Sequence, residues 1–260
     1  RSTAGGGRIA PLPPAKADSA GKRLLLAFAL AVLLLFCALP LAAVLVQAAQ
    51  AGGSWQVLWE EETRLAAWNT LRFTATAVAA ALVLGISHAA LARRLPWIRG
   101  ITFLPFMVSP VCVAFGILLL YPEWTASLPL LTATYALLAY PFVTKDLLAA
   151  WDALPPQYAA AARSMGANRF QTACYVTAPL LLPAMRRGLT LAAATCIGEF
   201  AATLFLSRPE WLTLTTLIYQ YLGTAGAENH DRAMVLTAAL MMLAAAVFVL
   251  LDAAEREKAV

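Results

Sequence analysis

The chain has 260 residues, of which 61% are hydrophobic and only 13% charged, and its mean hydropathy is +0.72. That balance excludes an ordinary water-soluble domain and places the chain in a bilayer. The formal net charge of +5 comes without a basic stripe interleaved with stacking aromatics, so it is a topology signal and no indication of nucleic acid.

Residues 1–22 open with Arg1 and a Gly/Pro/Ala-rich tract to Ser19 and are expected to be a cytoplasmic linker, not a fold. A helix needs roughly 17 to 25 mostly apolar residues to cross the hydrocarbon. Six stretches qualify, at 24–46, 73–92, 101–121, 128–144, 188–206 and 233–251. The first follows Lys22 and Arg23, and Val46-Gln47-Ala48 loosely resembles a cleavage site. Its apolar run nevertheless exceeds the roughly 7 to 15 residues of a secretory signal core. The expected fold is therefore all-α: a first transmembrane helix with its external loop over 23–67, a five-helix membrane core over 68–254 and a cytoplasmic tail at 255–260. Pro105 and Pro110 interrupt the third span, and Gly85 and Gly116 permit close helix contact. Pro129 and Pro141 leave the ends of the fourth the least defined.

Orientation follows from Lys and Arg, which translocation disfavours in short loops. With the N-terminus inside, fifteen fall on the cytoplasmic side and only four, Arg64, Arg72, Arg208 and Arg232, outside. Both termini are expected inside, with a long cytoplasmic loop at 152–187.

Catalytic signatures are thin. Cys37, Cys112, Cys174 and Cys196 form no CxxC pair, and HExxH, GxSxG and P-loop patterns are absent. His88 and His230 fall on opposite sides of the membrane, so no metal site is expected. Consecutive Glu60, Glu61 and Glu62 cannot share one helix face and are expected in a solvated external turn.

The cytoplasmic loop carries the most informative stretch, AAARSMGANRFQTACYVTAP at 160–179. Pro155 and Pro156 stop the preceding helix, and Pro156 suits the first position of the next, where a missing N–H costs nothing. Alanine-rich 157–165 favours helix, Gly166 sits where a left-handed terminator is wanted, and Asn168 offers an N-cap for a second helix. The small side chains of Ala160, Ala161 and Ala162 let a partner surface approach, with Arg163, Arg169, Arg186 and Arg187 supplying positive charge around them. Such a helix-Gly-helix suits a shallow protein cleft, the alternative being an ordinary connecting loop.

Beyond it lies Glu199, about 16 Å along its helix at 1.5 Å per residue and past the midplane. A carboxylate there must be paired, protonated, or facing a polar cavity. It is expected either to be satisfied by backbone or hydroxyl groups between helices or to border a translocation cavity. The external loop after it carries Trp211, Leu214, Leu217, Ile218, Tyr221 and Leu222 at helical spacing, which predicts an amphipathic segment lying in the interface.

The order Ala-Ala-x-x-x-Gly, then Phe170, then Val176-Thr177-Ala178-Pro179 and Pro183 resembles the EAA loop of type I ABC importer permeases, although the family's usual Glu is Ala160 here. Gly198-Glu199-Phe200-Ala201-Ala202 resembles the GEFGA segment of ferric-iron, thiamine, molybdate and sulfate permeases, with Ala201 in place of the second Gly. Fused ferric-iron and thiamine permeases carry two six-helix halves, and the chain resembles the second half of one, a shortened chain being the alternative. The resemblance implies coupling to an ATPase through Ala160, Ala161, Ala162, Arg163, Met165, Gly166, Asn168, Phe170 and Pro179. It implies that Gly198, Glu199 and Phe200 face the translocation pathway or a second permease half. Implied partners are a cytoplasmic ABC ATPase dimer that binds ATP and magnesium, an external substrate-binding protein meeting the outward loops, and that second half. No cofactor or metal is expected on this chain, which would hydrolyse nothing itself. The expected cargo is a small solute, with ferric iron ahead of thiamine. The alternatives are a proton-coupled secondary transporter using Glu199, an intramembrane enzyme and a membrane scaffold.

Overall fold

The computed structural model describes residues 20–124 and 127–256, and these contain helices, turns and no strand. The expected linker up to residue 19 and residues 257–260 of the tail lie outside the described residues. The chain divides into two compact units, residues 1–46 and 47–260.

The first unit is most of α1 (Ala20–Gln50), 31 residues that include Pro40 and are apolar around the whole circumference. The helix begins at Ala20, so the last three residues of the expected linker are its first turn. It is long and apolar enough to cross a membrane, as are Glu61–Arg94, Arg169–Ile197 and Ala227–Leu251.

In the second unit a 3-10 segment, Gly52–Trp59, turns the chain into α2 (Glu61–Arg94). The core is built from α2, α6 (Leu128–Ala153) and α9 (Ala178–Ile197), which pack on one another. On α2 the buried face reads Phe73, Ala77, Ala81, Gly85, Ala89 and Ala92, a ridge at spacings of four and then three that is small after Phe73. Lipid tails are as apolar as leucine, so helices associate in a bilayer by close packing, and small residues let them do so. Val143 of α6 is the point of closest approach. A Cβ built on Gly85 would lie 2.7 Å from Val143 Cγ1, and one built on Gly188 of α9 would lie 2.7 Å from Val143 Cα. Thr144 Oγ1 donates to the carbonyls of Tyr140 and, more weakly at 3.4 Å, of Gly85.

Two of the six expected spans are not continuous helices. The third is three short pieces, α3 (Ile98–Ile101), α4 (Leu104–Met107) and α5 (Pro110–Leu120). Pro105 and Pro110 each fall at the start of a piece, and the residues before Pro110 are driven to extended backbone, with ψ of 138° at Val108 and 132° at Ser109. Eleven residues of α5 reach only about 16 Å, half the hydrocarbon thickness. The fifth span ends early, because α9 stops at Ile197 and the chain resumes helix only at α10 (Ala201–Leu206).

The segment expected to lie free in the interface is α11 (Leu214–Gly223), whose Leu214, Thr216 and Leu217 are buried, packed on α12 (Ala227–Arg256) and α2. Protein, not lipid, covers that face. Glu60 is also more than part of a solvated turn: its carboxylate pairs with Arg232 of α12 at 3.1 Å.

Candidate functional site

The loop after α6 folds as its sequence predicts. The helix α7 (Pro156–Ser164) begins at Pro156. It ends at Gly166, whose φ of +90° is the left-handed region that only glycine enters without strain. There the N–H of Gly166 donates to Arg163 O and that of Ala167 to Ala162 O, both at 3.0 Å, a Schellman closure that satisfies the last carbonyls of the helix. One residue later Asn168 caps α8 (Arg169–Thr172) reciprocally: Asn168 Oδ1 accepts from the Gln171 amide at 2.8 Å and Gln171 Oε1 from the Asn168 amide at 2.9 Å. Two terminators with no slack between them make this a stiff corner.

From α8 the chain enters α9 without a break through a π-turn at Ala173–Thr177, where the Ala178 N–H donates to Ala173 O. The widened turn precedes Pro179, which has no N–H to give to the ordinary ladder. Helix is therefore continuous from Arg169, the residue after the corner, to Ile197.

The predicted coupling residues divide by facing. Ala160, Ala161, Arg163 and Pro179 are exposed, and Met165 and Phe170, 82% and 75% exposed, stand out as apolar knobs. Ala162, only 3% exposed, faces the protein, and Gly166 and Asn168 build the corner. Behind α7 lies a cavity of about 190 Å³ whose lining includes Arg93, Trp151, Leu154, Tyr158, Arg163 and Leu180. The Arg93 guanidinium stacks 4.6 Å from the centre of the Trp151 ring. Beside it Arg99 grips Asp152 with both ends of its fork, at 2.7 and 3.1 Å. The hydrogen bond from Arg99 holds the Asp152 carboxyl below the usual carboxylate range. These pairs tie the ends of α2 and α3 to the end of α6, two residues before α7 begins. Nothing in the sequence signals a pair 53 residues apart.

Glu199 occupies the break between α9 and α10, not the middle of a helix, and is 8% exposed. Its Oε1 accepts from the Ala202 amide at 3.1 Å, which supplies one of the acceptors a new helix start requires. Its own carbonyl accepts from Tyr135 Oη at 3.2 Å and from Thr215 Oγ1 at 3.0 Å, and Tyr135 Oη also meets Thr203 Oγ1 at 2.8 Å. One carboxylate oxygen is thus satisfied by backbone, and the backbone carbonyl beside it is served by hydroxyls. Gly198 closes α9, and the Phe200 ring lies 5.1 Å from that of Tyr219 on α11. An acid followed three residues later by the amide it caps, just after a glycine, is a helix-start pattern that was readable in the sequence. Tyr135 and Thr215 carried no such mark. At the far end of α2, buried Asn69 donates to the carbonyls of Glu210 and Leu212 at 3.0 and 2.9 Å, fixing the start of α11.

The chain has relatives among known proteins. Residues 77–254 match the family described as binding-protein-dependent transport system inner membrane component. The chain is 27% identical over 237 residues to the sulfate transport system permease protein CysT of Escherichia coli, covering 79% of this chain and 83% of that one. It is 30% identical over 128 residues to the molybdenum transport system permease protein ModB of Escherichia coli, covering 48% and 56%. A putative 2-aminoethylphosphonate transport system permease protein, PhnV of Salmonella typhimurium, is 28% identical over 194 residues, covering 68% and 72%. Among solved structures, a chain of a bacterial alginate ABC transporter in complex with its alginate-bound periplasmic protein superposes with a TM-score of 0.71 at 20% identity, covering 91% of this chain and 95% of that one. A chain of the MetNI methionine ABC transporter gives 0.61 at 19% identity, covering 73% and 93%. The ferric iron and thiamine expected from the sequence appear in none of these names. The protein is a multi-pass membrane protein and belongs to the family of binding-protein-dependent transport system inner membrane components, transport subunits rather than catalysts.

Proposed function

We propose that this chain is the permease subunit of an ATP-driven importer for a small oxyanion, delivered by an external binding protein and released to the cytoplasm. The observation that carries the coupling is the stiff corner at 164–168, fused through the π-turn to α9. A load on exposed Ala160, Ala161, Met165 and Phe170 reaches the membrane helix without a flexible joint between. In this reading a separate cytoplasmic ATPase dimer binds ATP and magnesium and closes on that corner. It turns α9 and α6 together, because Val143 is wedged between Gly85 and Gly188. A second permease half, in the same polypeptide or a second copy, completes the pathway next to Gly198, Glu199 and Phe200. The excess of Lys and Arg at the α7 end supports cytoplasmic termini.

The oxyanion class follows from the relatives. Sulfate and phosphonate are small oxyanions, and molybdenum in neutral water is the oxyanion molybdate. Glu199 as a helix cap is already engaged, which favours a structural role over proton transfer. The test is purification of the native full-length protein in mild detergent, with mass spectrometry of whatever accompanies it in fixed ratio. A P-loop ATPase is expected. The accompanying binding protein, titrated with sulfate, molybdate, a phosphonate, ferric iron and thiamine, is expected to take an oxyanion. Absence of an ATPase after crosslinking in the membrane overturns the importer, and selective uptake of iron or thiamine overturns the cargo class.

A further inference from the structure

We propose that the cavity behind α7 holds the phosphate of an anionic phospholipid headgroup, so that a lipid pins the α7 helix against the ends of α2, α6 and α9. The lining supplies two guanidinium groups, Arg93 and Arg163, and no carboxylate. Stacking on Trp151 occupies the face of the Arg93 guanidinium and leaves its in-plane donors, which find no hydrogen-bond partner among the described residues. Arg163 spends Nε on the carbonyl of Ala159, and its terminal nitrogens likewise have no hydrogen-bond partner among the described residues. The nearest acid, Asp152, is already held bidentately by Arg99. Asp152 also feels the charge of Arg93 but stands outside the lining, so two arginines border one space that no carboxylate lines, which is what a phosphodiester requires.

Lipid, and not a free anion, is favoured by the rest of the wall. Trp151, Leu154 and Leu180 give the cavity an apolar side that a free inorganic anion cannot use, whereas the glycerol carbons and first methylenes of a lipid can. A volume of about 190 Å³, room for roughly six waters, accepts a phosphate with its first carbons. The location fits too: α2 ends at Arg94 and α6 at Ala153, where membrane helices emerge, and Trp and Tyr are the side chains that sit at headgroup level. Basic pockets between transmembrane helices are the usual seats of anionic headgroups. The inference rests on the chain spanning a membrane and stands whether or not α7 docks an ATPase.

The test uses the full-length protein in detergent, titrated separately with phosphatidylglycerol, phosphatidylcholine and inorganic phosphate, and read by native mass spectrometry. One phosphatidylglycerol is expected to survive delipidation, and Arg93→Gln with Arg163→Gln is expected to weaken it by about tenfold or more. Arg93→Lys and Arg163→Lys should retain much of the binding, and Lys145→Gln, at a basic residue outside the lining, all of it. Should the double variant fold poorly, Arg163→Gln alone, on an exposed stretch of α7, must weaken binding severalfold. Undiminished retention in the arginine variants overturns the proposal, as does equal binding of phosphatidylcholine. Displacement of phosphatidylglycerol by inorganic phosphate at comparable concentration overturns the lipid assignment.

Discussion

Gly188→Ala tests how tightly α9 is locked to α6. The new methyl would sit 2.7 Å from Val143 Cα, 3.1 Å from Phe142 O and 3.3 Å from Val143 N. Carbon atoms rest at about 3.5 to 4.0 Å, so the helices must separate by about 1 Å locally. Overpacking of this kind costs about 1–3 kcal/mol. A Gly-to-Ala change in a helix also contributes about 1 kcal/mol favourably through propensity, which would mask part of the loss. Gly116→Ala on α5 isolates the clash, because it carries the same propensity gain and nothing lies within 4 Å of its built Cβ. At roughly 2–4 °C per kcal/mol, the detergent-solubilised Gly188→Ala protein is expected to melt on the order of 2–12 °C below Gly116→Ala. Val143→Ala should not restore it, since the closest atom is backbone. Equal melting of the two glycine variants, or rescue by Val143→Ala, would refute the claim that backbone contact sets the α6–α9 spacing.

Other perturbations separate the parts of the site. Gly166→Leu forces a side chain into a φ of +90°, at about 1–2 kcal/mol, and should lower substrate-stimulated ATPase activity of the reconstituted complex while leaving membrane insertion intact; unchanged stimulation rules out the corner as the coupling element. Glu199→Ala removes the acceptor of the Ala202 amide and is expected to destabilise by about 1–3 kcal/mol, whereas Glu199→Gln keeps an oxygen there and should leave melting and transport close to wild type. Loss of transport in a stable Glu199→Gln protein would show that the charge, not the cap, matters. Because Arg99 holds the folded Asp152 carboxyl below its unfolded value, the pair stabilises above pH of about 4 and is lost as pH falls through the lowered value. Protection of the amides at the end of α6, relative to their intrinsic exchange rate at each pH, should therefore fall on acidification in wild type, and Asp152→Asn, less protected already at neutral pH, should lack that step. Both partners are well exposed, so the effect is small and salt-sensitive.

Much of this was legible because its causes are local. Twenty apolar residues in a row have few places to go but a bilayer, and Pro156, Gly166 and Asn168 announce a start, a stop and a new start through backbone properties that need no neighbour. The same logic, applied to Pro105 and Pro110, could have divided the third span further than it did. What a periodic pattern cannot reveal is which apolar face meets protein and which meets lipid. The α11 segment therefore read as an interfacial helix until Leu214 and Leu217 were seen packed on α2 and α12. Glu199 looked stranded because depth along an unbroken helix was the only ruler available. Its break and its capped amide are local, but the hydroxyls of Tyr135 and Thr215 that serve its carbonyl come from segments 64 and 16 residues away. The sequence by itself determined a helical membrane protein with a stiff basic corner, since hydropathy, charge bias and terminator residues act over a few neighbours. Only the tertiary structure decided that Val143 wedges between two glycines, that Arg99 finds Asp152 and that Arg93 and Arg163 line one cavity behind α7, because such pairings depend on chain distances that carry no sequence period.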